Sequence, residues 1–243
     1  MQFPDHPVPI VVLTGAGISK ESGLDTFRDE DGIWSKVRIE DVATPEAFRR
    51  DPERVMEFYN HRRAGLLDPA VHPNEAHKAL ARLQESWPEE VMVVTQNIDN
   101  LHERGGAKDV VHMHGELLKV RCEACGNISE WLEDLTIDTP CFVCGSVGTK
   151  RPHVVWFGEM PLHMDKIEWA LTHCGLFVSI GTSGNVYPAA GFVSMARLRG
   201  KAYTIELNLE PSEGSSLFHE CRHGQATDLV PAFVDELLMR NAA

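Results

Sequence analysis

The sequence predicts an α/β fold built on a parallel sheet, with a smaller lobe inserted into it, and three observations lead there. Five short apolar runs rich in β-branched residues, Pro9 to Thr14, Val91 to Thr95, Val110 to His114, Leu176 to Ile180 and Ala202 to Glu206, recur along the chain, most of them separated by helical stretches. Each run is followed by small or polar residues: Gly15 and Gly17; Gln96, Asn97 and Asp99; His114 and Gly115; Gly181, Thr182 and Ser183; and Asn208. Ligands of an open parallel sheet sit at the carboxyl ends of its strands, so these five clusters are expected to line one crevice. Finally, four cysteines fall within 23 residues, while no repeat and no Pro/Gly-rich linker marks off an independent second domain. The second lobe must therefore come from insertions.

Taken in order, Pro9 to Thr14 (PIVVLT) reads as a buried strand that breaks at Gly15-Ala16-Gly17-Ile18-Ser19. Glycines there let backbone N–H groups approach a pyrophosphate at a helix start. The G-x-G-x-x-G pattern is incomplete, with Lys20 at the third glycine position and no acidic residue clearly placed for the ribose. A dinucleotide turn and a plain strand-to-helix turn both fit.

Asp51 to Leu67 is the first long helix, with Pro52 in its first turn. Its apolar stripe is expected at Val55, Phe58, Tyr59 and Leu66, which puts Arg62 in the middle. A guanidinium facing the interior needs a carboxylate opposite it, and Tyr59 on the same face can bond the same group. Two readings stay open, a clamp for an anionic ligand or an arginine that snorkels to an acidic neighbour. The helix Asn74 to Ser86 and the strand Val91 to Thr95 come next.

Val110 to His114 ends on a histidine placed where an imidazole of near-neutral pKa would face the crevice as a general base. His112, one step deeper on the same strand face, is expected to be a hydrogen-bonded core histidine. Cys122-x2-Cys125, fifteen intervening residues and Cys141-x2-Cys144 then match zinc-ribbon spacing. Four thiolates fill a tetrahedral shell and leave no place for water, so the metal is expected to be structural. Cys174 and Cys221 stand alone and read as small buried hydrophobes. The remaining helices are Lys166 to His173, Ala189 to Leu198 and Val230 to Arg240, with Pro231 in a first turn.

Composition sets outer limits. Of 243 residues 43% are apolar and 24% charged, which is ordinary for a globular protein. The net charge of −13 repels polyphosphate backbones and disfavours a nucleic-acid partner. No apolar run approaches the roughly 18 residues of a membrane helix, and the first eight residues lack signal-peptide order. A soluble cytoplasmic protein with no membrane association is expected, with a monomer as the default.

The ordered set Gly15-Ala16-Gly17-Ile18-Ser19, Thr26-Phe27-Arg28, Thr95-Gln96-Asn97-Ile98-Asp99, His114-Gly115, the four-cysteine ribbon, Gly181-Thr182-Ser183 and Asn208 resembles the sirtuins, NAD-dependent protein lysine deacylases. The resemblance spans essentially the whole chain. It implies a Rossmann-like domain formed by residues 1–35, 73–115 and 153–243. A small domain would combine a helical insertion, 36–72, with a zinc-ribbon insertion, 116–152. NAD and an acyl-lysine protein would meet between them. It further implies that the segment from Gly15 to Trp34 holds the pyrophosphate and covers the nicotinamide, Arg28 included. Gln96, Asn97, Ile98 and Asp99 would position the nicotinamide ribose and amide. Gly181, Thr182, Ser183, Asn208, Leu209, Glu210 and Ala226 would contact the adenosine half. His114 becomes the base, nicotinamide and 2′-O-acyl-ADP-ribose the products, and Val154 to Gly158 the strand that pairs with substrate backbone.

Tyr59-x2-Arg62, with Ala43 sixteen residues before Tyr59, resembles the acyl pocket of class III sirtuins, which accept negatively charged acyl groups. On that resemblance Ala43 leaves room and Arg62 neutralises the carboxylate of a succinyl or malonyl group, with deacetylation alongside. The alternatives are a deacetylase-only sirtuin, a protein ADP-ribosyltransferase and a non-enzymatic zinc-ribbon sensor of NAD or ADP-ribose. His114, Asn97 and Asp99 argue against the sensor.

Overall fold

The computed structural model of the chain describes residues 3–24 and 37–242. Strand β1 (Ile10–Thr14) is buried along its whole length. Ile10 and Val12 point into one core cluster and Val11 and Leu13 into another, the period-two division required of a central strand between two helical layers.

Among the described residues, two 3-10 turns follow β1, and three helices, α1 (Ile39–Val42), α2 (Pro45–Arg50) and α3 (Pro52–Leu66), lie after residue 37. Thr44 caps α2 by accepting the Ala47 N–H, and Asp51 caps α3 by accepting that of Arg54. Both helices start on proline, whose missing N–H costs nothing at that position. Helix α4 (Glu75–Ser86) has Asn74 as its cap.

Strand β2 (Val91–Thr95), helix α5 (Leu101–Arg104) and strand β3 (Val110–His112) follow. Next come β4 (Gly115–Cys122), β5 (Ile128–Glu130) and β6 (Lys150–Val154). The chain closes with α6 (Met164–His173), β7 (Leu176–Ile180), α7 (Phe192–Leu198), β8 (Tyr203–Asn208), β9 (Glu220–His223) and α8 (Ala226–Ala242).

Six strands form a parallel sheet in the order β3-β2-β1-β7-β8-β9. Helices α4 and α8 cover one face through Leu80, Leu83, Phe233 and Val234. Helices α6 and α7 cover the other through Ile167, Leu171, Phe192 and Val193. Each such fully buried side chain contributes about 1.5–3 kcal/mol of transfer free energy. The strand order reverses between β1 and β7, and Thr14 pairs with both Thr95 and Ile180, so the three central strands end at one level. That switch point is where a crevice must open.

The smaller lobe joins α1 to α3 with an antiparallel sheet, β5-β4-β6. Gly115, at φ +80°, begins this sheet because a Cβ there would lie 2.1 Å from the His153 carbonyl oxygen. The sheet's own core is small, with Met56, Val120 and Leu135 as its fully buried members.

Three expectations are corrected. The strand expected to end at His114 stops at His112, because Met113 and His114 turn the chain into β4. The last helix starts at Ala226, so Pro231 lies inside it. The Glu21 carboxylate holds the first turn by accepting the N–H and hydroxyl of Thr227. On α3 the buried stripe is Val55, Met56, Tyr59, Arg63 and Leu66, so the arginine at its centre is Arg63, with Arg62 half-buried on its flank. Arg63 donates to Asn60 Oδ1 at 2.8 Å and to the carbonyls of Leu117 and Glu133, and Asn60 exchanges two hydrogen bonds with the Leu135 backbone. Those bonds fix α3 to the small sheet.

Candidate active site

At the switch point two glycine turns meet backbone to backbone. Gly15 N–H donates to Ile180 O and Gly17 N–H to Gly181 O at 2.9 Å. A Cβ on Gly17 would fall 2.7 Å from Gly181 Cα, and one on Gly181, at φ +62°, 2.5 Å from Ile18 N. The base of the crevice is therefore main chain, as close approach of a pyrophosphate requires. Ala16, Ile18 and Ser19 continue this turn, with Ile18 buried in the core. Thr182 and Ser183 follow β7, and the Asn208 amide donates to Thr182 O at 2.8 Å from the end of β8. Leu209 and Glu210 are exposed just beyond, and Ala226 begins α8. Phe27, Arg28 and Trp34 lie outside the described residues.

The loop after β2 is held by a buried polar network. Asn97 donates from Nδ2 to Gly15 O and to Ser19 Oγ, both at 3.1 Å, and Ser19 in turn donates to Asp99 Oδ2 at 3.1 Å. Burial pushes the Asp99 carboxyl pKa up, against hydrogen bonds from Leu101 N–H and Ser19. Ile98 is anchored through its carbonyl, which accepts from Leu117 N–H.

Beneath this loop lie two histidines that sequence reasoning left unassigned, with rings 4.9 Å apart. Burial pushes His77 down to about 4 and His102 to about 3. His102 Nε2 lies 3.0 Å from Thr14 Oγ1, and His77 Nε2 lies 3.5 Å from Ser19 Oγ. The available signal was His77 three residues after the Asn74 cap, where its ring completes a capping box.

His114 sits across from the loop, its Nδ1 3.0 Å from the carbonyl oxygen of Gln96. A carbonyl only accepts, so Nδ1 carries the proton and Nε2 keeps its lone pair. Burial lowers the pKa of His114, and the Gln96 bond opposes that shift. His112 is the core histidine expected, between Glu103 and the Asn97 carbonyl.

On the small-lobe side Ala43 and Tyr59 are buried and share one cluster with Trp156. Tyr59 Oη accepts the Trp156 indole N–H at 3.1 Å. Burial raises the pKa of this phenol, against the field of Arg62, so it stays a neutral donor. The Arg62 guanidinium lies 5.8 Å from the Phe58 ring centroid and forms no ion pair among the described residues. Burial lowers its pKa, while the fields of Tyr59 and Asp99 oppose that.

The four clustered cysteines converge. Their sulfurs all lie within 4.8 Å of one another, Cys122 to Cys144 at 3.8 Å and Cys125 to Cys141 at 3.7 Å. Zn–S bonds of about 2.3 Å in a tetrahedron give an S···S edge of about 3.8 Å, so the set fits a structural zinc. Elsewhere among the described residues, no helix is long and apolar enough to cross a membrane.

The pattern that defines the Sir2 family matches residues 15–188. An NAD-dependent protein deacylase of Escherichia coli K12 is 57% identical over 243 aligned positions, which cover 97% of this chain and 87% of that protein. A Leishmania major NAD-dependent protein deacylase is 57% identical over 232, covering 94% and 95%. Among solved structures, a Sir2 homologue in complex with NAD superposes with a TM-score of 0.87 at 35% identity, covering 98% of this chain and 92% of that one.

Proposed function

The chain belongs to the Sir2 family, and from that premise we propose that it is an NAD-dependent protein lysine deacylase that removes succinyl and malonyl groups as well as acetyl. Bound NAD supplies the ADP-ribosyl group that receives the acyl group as nicotinamide leaves. The large domain of residues 1–35, 73–115 and 153–243 carries the NAD site, and the insertions 36–72 and 116–152 carry the acyl pocket and the zinc.

In this reading Gly15 to Ser19 receive the pyrophosphate, while Gly181 to Ser183, Asn208 to Glu210 and Ala226 take the adenosine half. Gln96 to Asp99 hold the nicotinamide ribose and amide, and Phe27, Arg28 and Trp34 cover the nicotinamide. With its Nδ1 proton committed to Gln96 O, His114 accepts a ribose hydroxyl proton at Nε2, a role that contributes about 10²- to 10⁴-fold in rate. The substrate backbone lies along Val154 to Gly158, a segment anchored where Val155 N–H donates to His114 O and Phe157 N–H to Ala43 O.

The observation that carries the acyl preference is Arg62, a half-buried cation beside a neutral phenol with no ion-pair partner among the described residues. A carboxylate on the acyl chain supplies that partner, and an acetyl group does not. The test is mass-spectrometric turnover of one peptide carrying succinyl-, malonyl- or acetyl-lysine, with and without NAD. NAD-dependent removal of the acidic groups, with kcat/KM at least comparable to acetyl, supports it. Activity confined to acetyl-lysine returns Arg62 to a structural role.

A further inference from the structure

Tyr59 is held from behind. Its Oη accepts the Trp156 indole N–H, and among the described residues nothing accepts its own hydroxyl proton. A phenol whose lone pair is engaged on one side presents its O–H on the other.

The indole is itself fixed by charged groups, Arg121 and Arg151 of the small lobe and Glu159 just beyond it. Arg151 on β6 is buried, and its guanidinium carbon lies 3.1 Å from the centroid of the Trp156 ring. Arg151 donates to both oxygens of Glu159, at 2.7 and 2.9 Å, and to the carbonyl of Val154. Glu159 also accepts the backbone N–H of Trp156 at 2.8 Å, and Arg121 adds a further bond at 3.1 Å. These groups fix the indole in both plane and position. A cation on the ring face also draws electron density from the indole and strengthens its N–H as a donor.

We propose that Trp156 is a specificity-determining positioning residue: its N–H, fixed by Arg151 and Glu159, aims the Tyr59 hydroxyl at an acidic acyl group. This rests on the acidic-acyl reading above, and it deepens that reading by making the charge network around the indole part of substrate choice. A bond from the Tyr59 hydroxyl forms only with a substrate that brings a carboxylate. Losing its alignment therefore weakens binding of the acidic substrate selectively.

The experiment uses the full-length, zinc-loaded protein with peptides carrying succinyl- or acetyl-lysine. Trp156→Phe keeps an aromatic face for Arg151 and removes the N–H. It is expected to lower the succinyl-to-acetyl ratio of kcat/KM about fivefold, the factor carried by one neutral hydrogen bond of ordinary strength, and to act through KM for the succinyl peptide. In a Tyr59→Phe background the same change should have no further effect on the ratio, because the hydroxyl it aims is gone. Should Trp156→Phe not fold, the benzothienyl analogue of tryptophan at position 156, with sulfur in place of N–H, gives the same test at nearly unchanged shape.

A Trp156 variant that lowers both substrates equally, or whose effect adds in full to that of Tyr59→Phe, shows a merely structural indole and overturns the proposal. If Tyr59→Phe lowers the ratio and Trp156→Phe leaves it unchanged, the clamp stands and the positioning role falls. If Tyr59→Phe also leaves the ratio unchanged, the hydroxyl takes no part in acyl choice and this proposal falls, whereas the acidic-acyl reading, carried by Arg62, falls only if the wild type turns over acetyl-lysine alone.

Discussion

His112 is gripped from two sides, with Nε2 2.6 Å from a Glu103 carboxylate oxygen and Nδ1 3.3 Å from the Asn97 carbonyl oxygen. Both neighbours are acceptors, so the ring satisfies both only as an imidazolium. Burial alone would lower its pKa. The Glu103 hydrogen bond and charge, the field of Glu116 and the Asn97 carbonyl together outweigh burial, and the net shift is upward. Glu103 shows the reciprocal downward shift, its hydrogen bond and the charge of His112 outweighing burial.

These shifts set a pH dependence of stability. The histidine contribution is complete below its ordinary pKa of 6.5 and is lost as pH rises through the raised folded value. The glutamate contribution is present above its ordinary 4.5 and is lost as pH falls through the lowered folded value. The Tm difference between wild type and His112→Phe should therefore peak between those two ordinary values and shrink in alkali. A difference independent of pH removes the ion pair from the account.

Arg62→Met should lower the succinyl-to-acetyl ratio of kcat/KM about 10- to 100-fold, the range of a charge-assisted hydrogen bond. Competition kinetics with both peptides in one reaction reads the ratio directly. Equal loss of both activities would mean that Arg62 only supports the lobe.

His114→Phe should reduce turnover of every acyl peptide by about 10²- to 10⁴-fold. Because burial favours the neutral ring, the acid limb of the wild-type kcat/KM profile should fall below the ordinary histidine value of 6.5. A limb above that value contradicts the assignment of the base.

Zinc removal should release about one ion per chain and unfold the zinc-ribbon part of the small lobe, where Met56, Val120 and Leu135 form the small buried cluster beside the sheet. Loss of the near-ultraviolet signal of Trp131 together with all deacylation is the expected result. An unchanged spectrum after complete chelation would show a lobe that folds without metal.

Much of this was legible in the sequence because its signals are local. Strands β1, β2 and β7 are mostly apolar runs rich in β-branched residues, and the cysteine spacing encodes its own geometry. Strand β6 was not legible, since Lys150-Arg151-Pro152-His153-Val154 reads as surface yet is buried throughout. The Arg151 charge is met by Glu159, and the Lys150 ammonium, with no hydrogen-bond partner among the described residues, lies 4.1 Å from the ring centroids of Trp131 and Phe142. The same blindness exchanged Arg63 for Arg62. Helical periodicity locates a face to within a residue, but the carbonyls of Leu117 and Glu133 that admit Arg63 to the interior belong to distant segments.

The contact between Gly17 and Gly181 has a bearing on how such a protein can change. Where two main chains touch, no amino-acid replacement offers a graded alternative, because even one methyl group collides with backbone. The cluster of Ala43, Tyr59 and Trp156, with the half-buried Arg62 on the same helix as Tyr59, is made of side chains, each exchangeable for a neighbour in size or charge. On the function proposed above, mutation can therefore retune acyl choice in small steps, while the glycine contact tolerates almost no change.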